Sequence, residues 1–234
     1  MGTLLNRRRY MGGGGAPQPS YDENSYIQDG LVFQLDGINK GSNQGYWTDL
    51  KGGCTFTIPS ADAVEVLDNC FKFYESARMP LASGTLAASG VGKTIEVVAQ
   101  RINYHAGGNS VFSTATGSTS GNILVYLGIG STTQILFLQR TKRLKCNFNW
   151  TTSVDNKLAT VIGRFSYNTD VACFNGAEAE FGTADYWTSN SIGVGCGKND
   201  FFYGKVFAIR IYDRHLTLAE MQFNQDIDLK RFGT

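Results

Sequence analysis

The 234-residue sequence predicts an all-β protein. It reads as two packed sheets of antiparallel strands, with one helix at the C-terminal end and an extended N-terminal arm. Three observations carry this reading. Glycine is abundant at 28 residues, proline scarce at 4, and aromatic residues reach 12%, a composition typical of sheets broken by turns. Short runs rich in β-branched and aromatic residues follow one another from Leu31, with no helical period between them. Only the last stretch carries helix start and stop signals.

Residues 1–29 differ from the rest. They hold Arg7-Arg8-Arg9, the glycine run 12–15, Pro17 and Pro19, with few aliphatic residues beyond Leu4, Leu5 and Ile27. Such a segment builds no core of its own and is expected to be an anchoring arm that orders on a partner. The domain is expected over residues 30–234. Dividing the length by about 150 residues per domain gives roughly 1.6, which suits one large β domain with an appendage.

The strand runs come in order: LVFQLD from Leu31, CTFTI, CFKFYE, TIEVVAQRI, SVFSTAT, NILVYLGI, QILFLQ, LATVIGRFSY, VACFNGAEAEF and KVFAIRIYD. A side-chain period of two puts Phe207, Ile209 and Ile211 on one face of the last strand. Asn175-Gly176 between two runs signals a hairpin, because a type I′ turn needs positive φ at both central residues. The helix is expected over about 217–231. Thr217 and Glu220 fit a capping box, Leu216 and Met221 the hydrophobic staple. Leu218, Met221, Phe223, Ile227 and Leu229 supply the apolar stripe, and Lys230 and Arg231 suit the negative end of the helix dipole.

Charge and cysteine usage exclude several functions. Hydrophobic residues make up 42% and charged residues 18%, enough apolar surface to exclude disorder of the bulk. The 21 basic and 20 acidic residues leave a net charge of +1, without a global nucleic-acid or membrane-surface footprint. No run approaches about 18 apolar residues, so no membrane insertion is expected. Cys54, Cys70, Cys146, Cys173 and Cys196 are odd in number and widely spaced, which points to reduced, buried thiols and to no zinc site. The arginine triplet lacks the apolar stretch of about 7–15 residues that an export signal requires. Asn6 stands where a myristoylation signal wants Ser or Thr.

Several motifs invite a chemical reading. Residues 87–94, AASGVGKT, match a relaxed phosphate-binding loop, but that chemistry needs a following helix. Here the text runs into the strand TIEVVAQRI, so a turn before a strand is expected. Glycoside hydrolysis needs two carboxylates flanking the scissile bond; Glu178, Glu180 and Glu96 are the candidates, and no catalytic residue is assigned. His105 and His215 have no partner cluster in sequence, and no metal site is assigned. Calcium, the one cofactor considered, would use loop oxygens near Asp36, Asp49 or Asp185. Tyr46-Trp47 and Tyr186-Trp187 lie in turn-rich text, where exposed rings can stack on sugars. The same pairs also suit sheet packing; they are the glycan-contact candidates.

Three segments carry a resemblance. DGLVFQLDGIN followed by WTDLKG, the strand KTIEVVAQ with the hairpin text CFNGAEAEF, and above all NDFFYGKVFAIRIYDRHLTLAEMQ resemble laminin-G-like, concanavalin A-like lectin/glucanase domains over about residues 30–225. The resemblance implies a jelly-roll sandwich. It carries over structural positions only: Gly30, Leu31, Trp47, Asp49, Gly204, Ile209, Ile211, Tyr212, Arg214, Leu216, Thr217 and Glu220. A ligand site does not carry over, because such sites sit in variable loops.

A lectin-like sandwich behind an anchoring arm, with no export signal, resembles virion proteins of tailed phages: capsid decorations, head fibres or tail appendages. The resemblance implies a non-enzymatic structural or adhesion role in an oligomeric assembly. It implies virion localisation after assembly in the reducing bacterial cytoplasm, which suits unpaired cysteines. Other virion proteins would be the arm's partners, with Arg7, Arg8, Arg9 and Tyr10 meeting acidic side chains of a neighbouring subunit. Cell-surface glycans would be the outward ligand. The alternatives are a carbohydrate-binding module of a bacterial surface or polysaccharide-use system and, more remotely, a glycoside hydrolase.

Overall fold

The computed structural model describes residues 20–41, 45–74, 77–84, 93–103, 109–113, 123–127, 134–139, 142–147, 156, 158–165, 170–174, 177–181, 193–195 and 201–233. The first strands are β1 (Leu31–Asp36), β2 (Tyr46–Thr48), β3 (Cys54–Thr57), β4 (Val64–Val66), β5 (Phe71–Phe73), β6 (Met79–Gly84), β7 (Lys93–Arg101) and β8 (Ser110–Ser113). They are followed by β9 (Ile123–Leu127), β10 (Gln134–Gln139), β11 (Lys142–Asn147), β12 (Leu158–Phe165), β13 (Asp170–Phe174), β14 (Ala177–Phe181), β15 (Gly193–Val194) and β16 (Gly204–Tyr212). Among the described residues one helix, α1 (Leu218–Phe232), follows β16.

Among the described residues two antiparallel sheets result. The first runs β14-β13-β12-β7-β16-β5-β4, and the second runs β11-β10-β9-β8-β15-β6-β3-β2. β16 organises the first sheet: β7 lies along one side, while β1 and β5 divide the other between them. Gly37 sits at that division. A Cβ there would stand 2.4 Å from the Asn69 carbonyl oxygen and 2.7 Å from that of Phe207, so only glycine lets the three backbones meet.

The core lies between the sheets. Phe33, Leu35, Phe71, Ile95, Val97, Ile209 and Ile211 face it from the first sheet; Trp47, Phe56, Met79, Val111 and Val125 face it from the second. The Trp47 ring lies 4.4 Å from that of Phe71, and its indole N–H donates to the Asp36 carbonyl at 3.0 Å. Cys54 and Cys70 are free, buried thiols. Burial pushes the Cys54 thiol up to about 11, so both the location and the protonation of this cysteine fit inert packing.

Two expectations are corrected. Phe207 does not share a face with Ile209 and Ile211. The pairing of β16 with β7 slips between Val206 and Ala208, and this bulge turns Phe207 and Ala208 to the outer side, against Cys70, Val98 and Phe232. The helix stripe also differs. α1 buries Met221, Asn224, Gln225, Ile227, Asp228 and Phe232, while Phe223 and Leu229 are exposed. The buried set keeps helical spacing, but three of its members, Asn224, Gln225 and Asp228, are polar. The capping box of Thr217 and Glu220 is present, and the staple residues Leu216 and Met221 are buried together.

The expected loop-to-strand reading of residues 87–94 holds where it is described: Lys93 and Thr94 open β7, and Thr94 Oγ1 donates to the Arg214 carbonyl while accepting from Leu216 N–H. β13 and β14 pair with Phe174 opposite Ala177; Asn175 and Gly176 lie outside the described residues. Replacing Trp47 by Ala is expected to destabilise the fold by about 3–5 kcal/mol, the cost of a large ring deleted from a packed core. Urea unfolding followed by circular dichroism checks the value.

Candidate functional site

The outer face of the first sheet, away from the core, carries the polar chemistry of the described structure. It has two halves. Helix α1 and residues 21–29 cover one, and the other faces solvent.

The covered half is built around Arg210, which the bulge in β16 leaves on the outer side. Its Nε donates to Glu96 Oε2 at 2.7 Å, and a terminal nitrogen donates to Asp228 Oδ2 at 2.6 Å. All three side chains are shut off from solvent. Asn224 donates to both Glu96 oxygens at 3.0 and 3.1 Å, and its own oxygen accepts from Ile27 N–H. Asp228 also accepts from Tyr26 O–H at 2.8 Å and Thr160 O–H at 3.2 Å. The guanidinium lies 3.8 Å above the Tyr26 ring. Burial pushes the Glu96 and Asp228 carboxyls upward, with Arg210 pulling against it. Beside this group, Arg231 donates to both Asp36 oxygens at 2.6 and 3.2 Å.

This arrangement is a clamp between helix and sheet, with every carboxylate oxygen committed to a protein donor. Glu96, named as a hydrolase candidate, is therefore sealed under the helix and reaches no substrate. Residues 21–29, assigned to the arm on composition, belong to the clamp. Tyr26 is buried, Gln34 donates to the Glu23 carbonyl, and Arg214 pairs with Asp29.

The uncovered half shows a different mixture. Tyr74 and Tyr203, both half-buried, stand with ring centres 6.2 Å apart. Tyr74 O–H donates to Glu65 at 2.7 Å, and Lys72 donates to both. Next to them, where α1 ends, is a cleft of about 260 Å³ lined by Asn69, Gln100, Asn156, Lys205, Phe207 and Phe232 among others. The Phe207 and Phe232 rings, centres 5.5 Å apart, belong to the apolar cluster at this end of the helix. Gln100 donates to the Asn156 carbonyl at 2.8 Å. Asn156 itself takes a left-handed φ of 61°, which asparagine tolerates better than most residues.

Of the glycan-contact candidates, Tyr46 lies on the edge strand β2 and is 41% exposed. Trp47 is a correction: its ring is fully buried and packs in the core as the family resemblance implied, so no sugar reaches it. Tyr186, Trp187 and the arm residues Arg7, Arg8, Arg9 and Tyr10 lie outside the described residues. Glu178 and Glu180 sit on the edge strand β14, opposite Cys173 and Val171. The two described calcium candidates are already engaged. Asp36 holds Arg231 and two backbone N–H groups, and Asp49 accepts from the N–H groups of Gln34, Lys51 and Gly53. Among the described residues no group of three or more His, Cys, Asp or Glu could hold a metal ion, and no helix is long and apolar enough to cross a membrane. Sequence reasoning missed Tyr74, Tyr203, Gln100 and Lys205. The one available signal was their alternation with core residues such as Phe73, Gly204 and Ala99.

No family model and no curated protein matches the sequence. Solved structures do. A Trypanosoma rangeli sialidase in complex with sialic acid aligns at a TM-score of 0.60 and 15% identity, over 84% of this chain and 33% of that one. The same sialidase with the inhibitor DANA aligns at 0.61 and 15%, over 86% and 34%. The binding domain of botulinum neurotoxin serotype D aligns at 0.62 and 14%, over 86% and 52%. The chain thus spans about a third of the sialidase and half of the toxin domain. At these identities the likeness shows a shared β-sandwich fold.

Two outcomes follow. Arg210→Met strands two buried carboxylates and is expected to cost about 3–5 kcal/mol of stability, read by urea unfolding. The cap is expected to titrate. Hydrogen bonds from Arg214 hold the Glu220 carboxyl down at about 2, so its contribution is complete above the ordinary value near 4.5 and fades as pH falls toward 2. Melting temperatures of wild type and Glu220→Gln should differ at pH 6 and converge at pH 2; a constant gap refutes the assignment.

Proposed function

We propose that this chain is a non-enzymatic adhesion module: a jelly-roll, concanavalin A-like sandwich that binds glycans on the uncovered half of its first sheet. The observation that carries this reading is that half itself, where tyrosine rings and carboxamides stand side by side at the surface. Sugars offer apolar C–H faces and hydroxyls that both donate and accept, and rings with amides complement both. The fold likeness supports the same reading: one neighbour is a sialidase in complex with sialic acid and another a neurotoxin binding domain. The commitment of Glu96 and Asp228 to the clamp supports a binding role over hydrolysis.

A finer reading places the module on a virion through the arm. Residues 21–29 are fixed on the helix, so the 20 residues before them would start from a set point. Arg7, Arg8 and Arg9 then meet acidic side chains of a neighbouring protein, with Tyr10 beside them. Deleting residues 1–19 is expected to leave the melting temperature unchanged and to abolish incorporation into the assembly. Normal incorporation of the truncated chain rejects this placement.

For the module itself, a glycan array probed with the labelled full chain is expected to return a defined carbohydrate class without turnover. Tyr203→Ala should weaken the signal by about tenfold, the worth of one ring contact. A blank array with folded protein defeats the reading.

A further inference from the structure

We infer that the cleft at the C-terminal end of α1 is a subsite for one neutral sugar ring at the end of a glycan. The inference rests on the glycan-binding reading and goes further by naming the pocket and the ligand class. At about 260 Å³ the cleft falls just below the roughly 300–1,000 Å³ of pockets that take drug-sized ligands. It holds a single ring, not a stretch of chain.

Its lining suits a sugar from bottom to rim. Leu158, Phe207 and Phe232 lie beneath it; Phe207 and Phe232 are almost wholly buried, so a bound ring meets mainly the polar groups. Asn69, Gln100 and Asn156 contribute three carboxamides, each able to donate and accept, as hydroxyls do. Lys205 adds three further donors and makes no hydrogen bond among the described residues. Part of the rim is set in advance: Gln100 is held by its bond to the Asn156 carbonyl, and the Asn156 N–H is tied to the Arg101 carbonyl at 2.6 Å. A rim already in place lowers the ordering cost of binding.

The charges of the lining partly cancel, which suits a neutral ring. Lys205 is the cation of the lining, and it stands beside Phe232 and Gly233, the carbonyl end of α1, which carries partial negative charge. Glu65, the carboxylate nearest in register, is bound to Lys72 and Tyr74. A ligand carboxylate would gain Lys205 but oppose the helix end. A ligand of hydroxyls uses both, giving to the carbonyls and accepting from the ammonium.

Saturation-transfer NMR and calorimetry on the full chain test this, with methyl glycosides of glucose, galactose, mannose and N-acetylglucosamine against glucuronic and N-acetylneuraminic acid. The expected result is binding of at least one neutral glycoside. Its affinity should fall by about tenfold in each of Gln100→Ala and Lys205→Met, and remain within about twofold in Tyr46→Ala, with all variants melting as wild type. A glycan that binds the array but is unaffected by both rim variants overturns the subsite and leaves the adhesion reading standing. Preference for the acids overturns the ligand class. Binding of no glycan in either format overturns both readings.

Discussion

A guanidinium without access to water has to be fully partnered or it destabilises the fold by several kcal/mol. Arg210 meets most of that demand from three directions, with only its second terminal nitrogen lacking a hydrogen-bond partner among the described residues: Glu96 on the neighbouring strand, Asp228 on the helix, and the ring of Tyr26 on the segment that precedes β1. These partners lie 114, 18 and, for the Tyr26–Asp228 bond, 202 residues apart in sequence. One buried charge therefore draws strand, helix and N-terminal segment to a single point. The polar face of α1, the packing of residues 21–29 and the covered half of the sheet all follow from it.

The same constraint explains which parts of the fold were legible in the sequence. Strand runs announce themselves through local alternation, and Thr217 with Glu220 announces the helix start, because each signal is complete within a few residues. Asn224 and Asp228 read as solvent-facing, since a polar residue in an amphipathic helix normally is. Their burial makes sense only once Arg210 and Glu96 are opposite, and no local window contains that fact. The apolar Phe223 and Leu229 were accordingly misplaced on the buried side. Phe207 failed for another reason: a single extra residue in β16 reverses the face of everything before it, and the hydrophobic text on both sides of the bulge conceals it.

Site residues were less legible than fold residues. Tyr46-Trp47 drew attention because two large rings sit in turn-rich text, yet one ring is the largest fully buried side chain of the described core and its neighbour is at the surface. Adjacent residues on a strand face opposite ways, so a pair of rings was never a pair of platforms. The surface that presents mixed aromatic and amide groups draws on β5, β7, β16, a turn and a helix end. Such a surface is assembled by sheet order, and sheet order is not written in any one segment.

The clamp and the open cleft are two consequences of one placement. Apolar residues in place of Glu96, Arg210 and Asp228 would hold the helix at least as firmly, given the desolvation cost of buried ions. They would not distinguish one docking register from another a turn away, about 5.4 Å along the axis. Hydrogen bonds from Arg210 to Asp228 and from Asn224 to Glu96 accept one register only, because a shift of one turn leaves buried charges unpaired. That register puts Phe232 against Phe207 and stops the helix at Gly233, short of Gln100 and Lys205. The buried charges thus bear not only on where the helix lies but also on how much of the sheet it leaves uncovered.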